Sequence, residues 1–397
     1  MQHAAILLSL AAGLAGAPRA AAQAADVLQI RAKTVLLGNG QRLDNGLVVI
    51  EGGKIRSAGP GEPDQSLPLI EHPGALTAGM VLAHSWFGTE GENHDSTRSV
   101  MSEARVVYAF HPGHSDYKHA LEQGITTLVL APTGQNLAGG KTCAVKTDGE
   151  VLKKEAHLAL SFSKEALEQS GQPFFFLFDA GDGMANVDDG LEEAGGHANG
   201  ARMPTSYAGS LAALEGLMQA QDGVFARARS GELPVLLEAW DRNEVARAVA
   251  FAEKHKLKGA LRGAPLAGDL VQSIKESGLG VVLGPFDVGE ASRTLAGAAT
   301  LAQAGVPLAF SLGNSGIDPA SARLGAAMAM ANGLDQDSAW KALSSDAARL
   351  AGVADRVGRL ERGLDADLVL WSGDPLDLTS RVEMVFIEGK RVYGGGQ

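Results

Sequence analysis

The stretch Ala78-Gly79-Met80-Val81-Leu82-Ala83-His84-Ser85-Trp86-Phe87-Gly88 is a short apolar run, opened by a glycine and closed by a histidine among small and aromatic residues. A run of this length between turn signals reads as a strand buried on both faces, although a buried helix segment shows the same pattern. Upstream, Val27-Leu28-Gln29-Ile30-Arg31 alternates. Leu47-Val48-Val49-Ile50 then meets Glu51-Gly52-Gly53-Lys54-Ile55, a hairpin signal with glycines at the turn. A matching set closes the chain in Ala366–Trp371 and Val382–Tyr393. Short strands at both ends of an α/β middle predict one small β-sandwich built from residues 25–75 and 355–397.

Between them the chain alternates. Gly124–Ala131, Leu233–Leu237, Gly280–Gly284 and Val306–Ser311 read as buried strands. Segments such as 243–255, 266–277 and 291–304 carry apolar residues at helical spacing. Residues 76–354 are therefore expected to form an α/β (β/α)8 barrel, with catalytic groups at the C-terminal ends of its strands. Asp179–Arg202, acidic and glycine-rich, breaks the alternation and reads as a surface loop or lid.

The run Gly358-Arg359-Leu360-Glu361-Arg362-Gly363-Leu364-Asp365-Ala366-Asp367-Leu368-Val369 resembles the C-terminal signature of the amidohydrolase superfamily, Gly-x-Ile/Leu-x-x-Gly-x-x-Ala-Asp-Leu-Val. Gly373-Asp374-Pro375-Leu376 and Ile387-Glu388-Gly389-Lys390 fit the same tail. The resemblance extends from about Val27 to Tyr393 and is nearest to the imidazolonepropionase-like and Xaa-Pro dipeptidase-like branch. It implies a metal-dependent hydrolase of C–N bonds with ligands at the barrel mouth.

Carried over position by position, those ligands are mostly replaced. In the first-strand pattern Pro-Gly-x-x-Asp-x-His-x-His, Gly79 and His84 remain, while Ala78, Leu82 and Trp86 stand at the other places. The fifth-strand histidine becomes Glu238 followed by Ala239-Trp240, the sixth-strand histidine becomes Arg262, and the eighth-strand aspartate matches Gly313. The nearest match to a carboxylated lysine after the third strand is His157. An indole offers no lone pair and a guanidinium repels a dication, whereas a catalytic zinc needs about three protein ligands and an open position. The residual mouth is thus His84, Trp86, His157, Glu238, Trp240, Arg262 and Gly313. No cofactor is expected; the alternative is one weakly bound divalent metal such as zinc on His84, His157 and Glu238. A Glu238–Arg262 ion pair is expected in the metal's place, because the two residues end neighbouring strands.

Three other groupings read as bland. Glu90, Glu92, His94 and Asp95 fit a solvated loop; His111, His114 and His119 fit structural or exposed positions; and the glycine-rich Asn136–Lys141 fits loop packing. The formal net charge of −12 argues against nucleic-acid binding. The apolar Ala4–Ala17 followed by Ala22-Gln23-Ala24 reads as a signal peptide over 1–24, with a periplasmic or secreted product and no membrane span after its removal. A single cysteine, Cys143, excludes an internal disulfide. The expected role is binding, or partnership with an active paralogue or a second copy, with a small-molecule ligand allowed. A working metal-dependent hydrolase is the alternative.

Overall fold

The computed structural model describes residues 27–91, 93–95, 97–167, 204–313 and 317–395. The expected signal segment, the 179–202 loop, Glu92 and Asn314 lie outside the described residues. Four strands lead in: β1 (Val27–Leu36), β2 (Arg42–Glu51), β3 (Lys54–Gly59) and β4 (Leu69–Ala78). β4 passes through Gly79 alone into β5 (Met80–Ser85). A Cβ at Gly79 would lie 2.0 Å from Thr126 Oγ1, so the two strands join without a spacer only because the residue is glycine.

After α1 (Asp116–Glu122) come β6 (Ile125–Leu130), β7 (Ala138–Lys141), β8 (Cys143–Lys146), β9 (Val151–Lys153) and β10 (Leu158–Ser161). Helices α2 (Tyr207–Leu217) and α3 (Gly223–Ser230) precede β11 (Val235–Ala239). Then α4 (Arg242–His255), β12 (Gly259–Gly263), α5 (Val271–Ser277), β13 (Gly280–Leu283), α6 (Ser292–Gln303) and β14 (Leu308–Gly313) alternate. Helices α7 (Ser321–Ala331), α8 (Gln336–Ala342) and α9 (Ser345–Leu350) lead to β15 (Leu368–Trp371), β16 (Val382–Ile387) and β17 (Lys390–Gly394). Among the described residues no helix is long and apolar enough to cross a membrane.

The ten-stranded sheet runs β7-β10-β11-β12-β13-β14-β5-β6-β8-β9. Its seven strands from β10 to β6 are parallel. β7 pairs antiparallel with β10 and β8 antiparallel with β6. Since β7 and β8 are separated only by Thr142, one bent segment touches both ends of the parallel run and closes it into a barrel. The structure therefore bears out a TIM-like α/β barrel and corrects the all-parallel expectation, because one stave runs backwards. The reason is connection length. Only residues 131–137 link β6 to β7, too short for the crossover of a dozen or more residues that a parallel neighbour needs.

Small apolar side chains fill the barrel axis. Val81, Ala83, Val129, Ala144, Leu236, Ala260, Val282 and Ala309 pack against Ala347, Ala348 and Ala351 of α9, which closes the lower end. Larger residues such as Leu82, Leu128, Leu237 and Phe310 face the outer helices.

The second sheet runs β17-β16-β15-β4-β1-β2-β3 and takes strands from both chain ends. Its join is β15 on β4, with Leu368 opposite Ala78. Val385–Ile387 lie one strand further from the N-terminal strands, in β16 against β15 and β17. The β2–β3 turn bonds back to this side, with Ala366 N–H donating to the Gly53 carbonyl at 2.9 Å. Ile30, Val48, Ile50, Ile55, Leu76, Leu368 and Phe386 form the enclosed core.

Candidate functional site at the barrel mouth

The mouth is built on β11 and β12. Their parallel register sets Glu238 opposite Arg262, and both side chains are buried. Arg262 Nη1 donates to Glu238 Oε2 in a close ion pair. The other carboxylate oxygen accepts from Trp240 Nε1 at 2.9 Å. Trp240 is held from behind by the start of α4. There Asp241 caps the helix by accepting from Glu244 N–H at 2.8 Å, and Glu244 returns to accept from Trp240 N–H at 2.7 Å. The Arg262 guanidinium lies 5.1 Å from the Trp86 ring and 5.4 Å from the Trp240 ring, within cation–π range of both. The expected ion pair is present, with the tryptophans flanking it.

His84 is the penultimate residue of β5 and is fully buried. Its Nδ1 lies 2.8 Å from Ser311 Oγ on the neighbouring β14, and its ring meets Trp86 edge-on at 5.5 Å. Burial pushes His84 well below the usual imidazole range, and the Arg262 charge lowers it further, so the ring is neutral. Burial also pushes Arg262 down, to about 10, which leaves it charged near neutrality. Three nitrogens of the mouth lack a hydrogen-bond partner: His84 Nε2, Trp86 Nε1 and Arg262 Nε.

Two glycines fix what the mouth excludes. At Gly134, in the loop between β6 and β7, a Cβ would sit 1.8 Å from Glu238 Oε1, so the bare backbone shields the carboxylate. Gly313 has φ +75, and a Cβ there would meet Ile317 at 2.7 Å and Pro285 at 3.0 Å. An aspartate at this place meets both backbone strain and a filled space.

His157 is not at the mouth, contrary to expectation. It immediately precedes β10, at the N-terminal end of a stave, and its Nε2 bonds the Leu350 carbonyl at 2.7 Å while Nδ1 lies 3.0 Å from Thr142 Oγ1. It satisfies a carbonyl of the α9 C-terminus, and burial holds it neutral, down to about 4. His111, His114 and His119 pair with Glu90, Asp116 and Glu122 near the surface. Ser311 was missed by sequence reasoning; its signal was its place two residues before Gly313 on the same strand face.

This donor set does not fit a catalytic metal. Both oxygens of Glu238 are engaged, His84 is the one remaining family ligand, and a guanidinium stands in the middle. Among the described residues, Glu150, Asp365 and Glu388 do have metal-ligand spacing, with atoms within 4.8 Å of one another, so an expectation of no metal in this chain finds no support there. They lie elsewhere, and Lys146 and Arg356 already occupy their oxygens. A cavity of about 10 Å³ beside Thr133, Ser161, Glu238 and Arg262 has room for roughly one water. A wider one of about 230 Å³ lies off the axis, between Asn93, His94, Asp95, Met101, Arg105 and Pro132.

Comparison with known proteins extends the reading. A model of the amidohydrolase family matches residues 189–392, just over half of the chain. An imidazolonepropionase of Xanthomonas oryzae pv. oryzae (strain PXO99A) is 29% identical over 192 residues, 43% of this chain and 47% of that protein. One from Stenotrophomonas maltophilia (strain R551-3) is 37% identical over 108 residues, 25% of this chain and 26% of that protein. The chain thus spans about half the length, or less, of these curated relatives. Among solved structures, an amidohydrolase from Thermotoga maritima MSB8 superposes with a TM-score of 0.76 at 22% identity, covering 93% of this chain and 100% of that one. A Xaa-Pro dipeptidase with bound methionine in the active site gives 0.56 at 15% identity, covering 93% and 100%. The signature before β15, the α/β barrel joined to a sheet from both chain ends, and the family match agree: this chain belongs to the amidohydrolase family.

Proposed function

We propose that this chain keeps the amidohydrolase barrel but not a metal-activated water at its mouth, and serves as a binding or partner subunit, exported to the periplasm or beyond. The observation that carries the reading is the Arg262 guanidinium paired with Glu238, where an inherited ligand pair would need a cation. An arginine so placed is a fixed positive charge and repels a metal ion. The off-axis cavity between Asn93 and Pro132 is the place for a small-molecule ligand, and an active paralogue or a second copy the expected partner. The alternative, a hydrolase of C–N bonds, draws on the unpartnered His84 Nε2.

The test is metal analysis of protein purified without chelators, alongside thermal melts. The expected result is no stoichiometric metal dependent on the mouth and no change in melting temperature with chelator. A bound ion that disappears in Glu238→Gln or His84→Ala overturns the proposal.

A further inference from the structure

Two stretches that read as bland in the sequence come together beside the mouth. Asn136, buried just before β7, grips the loop that follows β5. Its Nδ2 donates to the carbonyls of Asp95 at 2.9 Å and Arg98 at 2.6 Å, and its Oδ1 accepts from the Asp95 N–H at 3.1 Å. β7 continues the grip through its backbone. Met101 N–H donates to the Ala138 carbonyl at 2.7 Å, and Lys141 N–H to the Ala104 carbonyl at 2.8 Å. Gly140 permits the approach, since a Cβ there would lie 2.7 Å from the Ala104 carbonyl oxygen. The walls of the cavity of about 230 Å³ between these segments are therefore set by the fold, and a ligand entering it does not have to order them.

The lining is apolar at Met101, Val106 and Pro132 and polar at Asn93, His94 and Asp95. Arg105 lines it too, but lies 3.0 Å from Glu155, which balances its charge. Asp95 has no such partner among the described residues. Its Oδ1 accepts from the Thr97 N–H at 2.7 Å and from the Thr97 hydroxyl at 2.6 Å, while its Oδ2 accepts no bond among the described residues. The Thr97 hydroxyl and N–H hold the carboxyl below the usual carboxylate range, and the Arg98 charge adds to this from further away, so the acid is ionised near neutrality. The cavity thus sets an ionised acid, with one oxygen open, beside apolar side chains.

We propose that this cavity binds a small organic cation, with a primary ammonium or similar N–H-bearing group against Asp95 and a compact apolar body against Met101, Val106 and Pro132. This ligand class rests on the binding role proposed above and specifies it. The volume of about 230 Å³ is about eight times the ~30 Å³ share of one water, which suits a ligand of about eight non-hydrogen atoms. An ammonium gives Asp95 Oδ2 a charge-assisted bond, and the apolar body gains by leaving water. The formal net charge of −12 favours the approach of a cation over an anion of the same size. Pro132 and Gly139 also line the one-water cavity beside Glu238 and Arg262, so the bound ligand lies one wall away from the mouth pair.

The experiment is titration calorimetry of the full chain with three probes of similar shape: benzylamine, benzyl alcohol and benzoate. Benzylamine should bind at least about tenfold more tightly than the neutral and anionic probes. Asp95→Asn keeps an oxygen for Thr97 but removes the charge, and should weaken benzylamine about tenfold, to the level of benzyl alcohol. Met101→Trp fills the apolar part and should weaken benzylamine by a similar factor. Benzyl alcohol or benzoate binding as tightly as benzylamine overturns the cation and leaves the binding role standing. Benzylamine binding unchanged in Asp95→Asn or in Met101→Trp overturns the site. Absence of benzylamine binding to the wild type overturns the proposal outright, so the probe series decides even where a variant does not fold. Failure of the binding role itself shows separately, as a mouth-dependent metal in the analysis described above.

Discussion

The mouth pair and the junction cluster around Lys146, where the sheet meets the barrel, are both salt-bridged, the first buried throughout and the second buried only at Lys146, Asp365 and Asp367, and they differ in charge balance and in how the chain assembles them. At the mouth one acid meets one base, flanked by Trp86 and Trp240. At the junction four acids share three bases, and bonded partners such as Lys146 and Glu388 are 242 residues apart. A balanced pair between adjacent strands can sit in a small, nearly dry barrel without further help. The junction is unbalanced, and its partly exposed members, Lys54, Glu150, Arg356 and Glu388, leave it open to solvent. The comparison therefore separates a balanced pair between neighbouring strands from an unbalanced cluster gathered from distant parts of the chain.

Each difference can be attacked in turn. The largest effect is expected at Lys146, the hub of the junction. Lys146→Met strands four carboxylates against two cations and should cost about 4–5 kcal/mol in denaturant unfolding, the upper end for a broken buried pair. Arg262→Ala leaves one carboxylate at the mouth and should cost about 3–4 kcal/mol. The double variant Arg262→Met with Glu238→Leu should recover most of this loss, since removing both charges spares the stranded one. If the double variant is as unstable as the single, the mouth pair is not an isolated unit. Trp240→Phe keeps the ring but removes the hydrogen bond to Glu238, and a loss of about 1.5–2 kcal/mol should follow. Smallest is His119→Ala, which breaks an exposed pair with Glu122 and should stay within about 0.5 kcal/mol. A loss above 1 kcal/mol there would mean that surface pairs carry more of the fold than buried clusters leave room for.

The mouth pair was legible in the sequence because sequential strands are neighbours in such a barrel, so matched positions at their ends must meet. The fold was legible for a similar reason, through buried runs at regular spacing and the ordered signature from Gly358 to Val369. What failed was strand polarity and strand phase. The glycine-rich Asn136–Lys141 segment reads as loop packing, yet Ala138–Lys141 is half of the backward stave; its pairing comes from register, which composition does not encode. His157 was placed at the wrong end because it precedes the first residue of β10 instead of following the last. One strand length separates a ligand from a helix-capping residue. The junction was not legible: Asp365 and Asp367 lie inside the quoted signature and Glu388 in the tail after it, but Lys146, Glu150 and Lys54 lie far away in the chain and nothing local pairs them with these acids.

The passage through Gly79 has a mechanical consequence. Ala75–Ala78 of β4 and Leu368–Trp371 of β15 lie side by side and antiparallel, immediately before and after the chain makes its entire circuit of the barrel. The barrel is thus a large loop clamped at its base by a short stem. A pull on β1 and β17 would load that stem, strand from strand, before tension reached any stave. The mouth, at the far side of the loop, would stay assembled until the stem had parted.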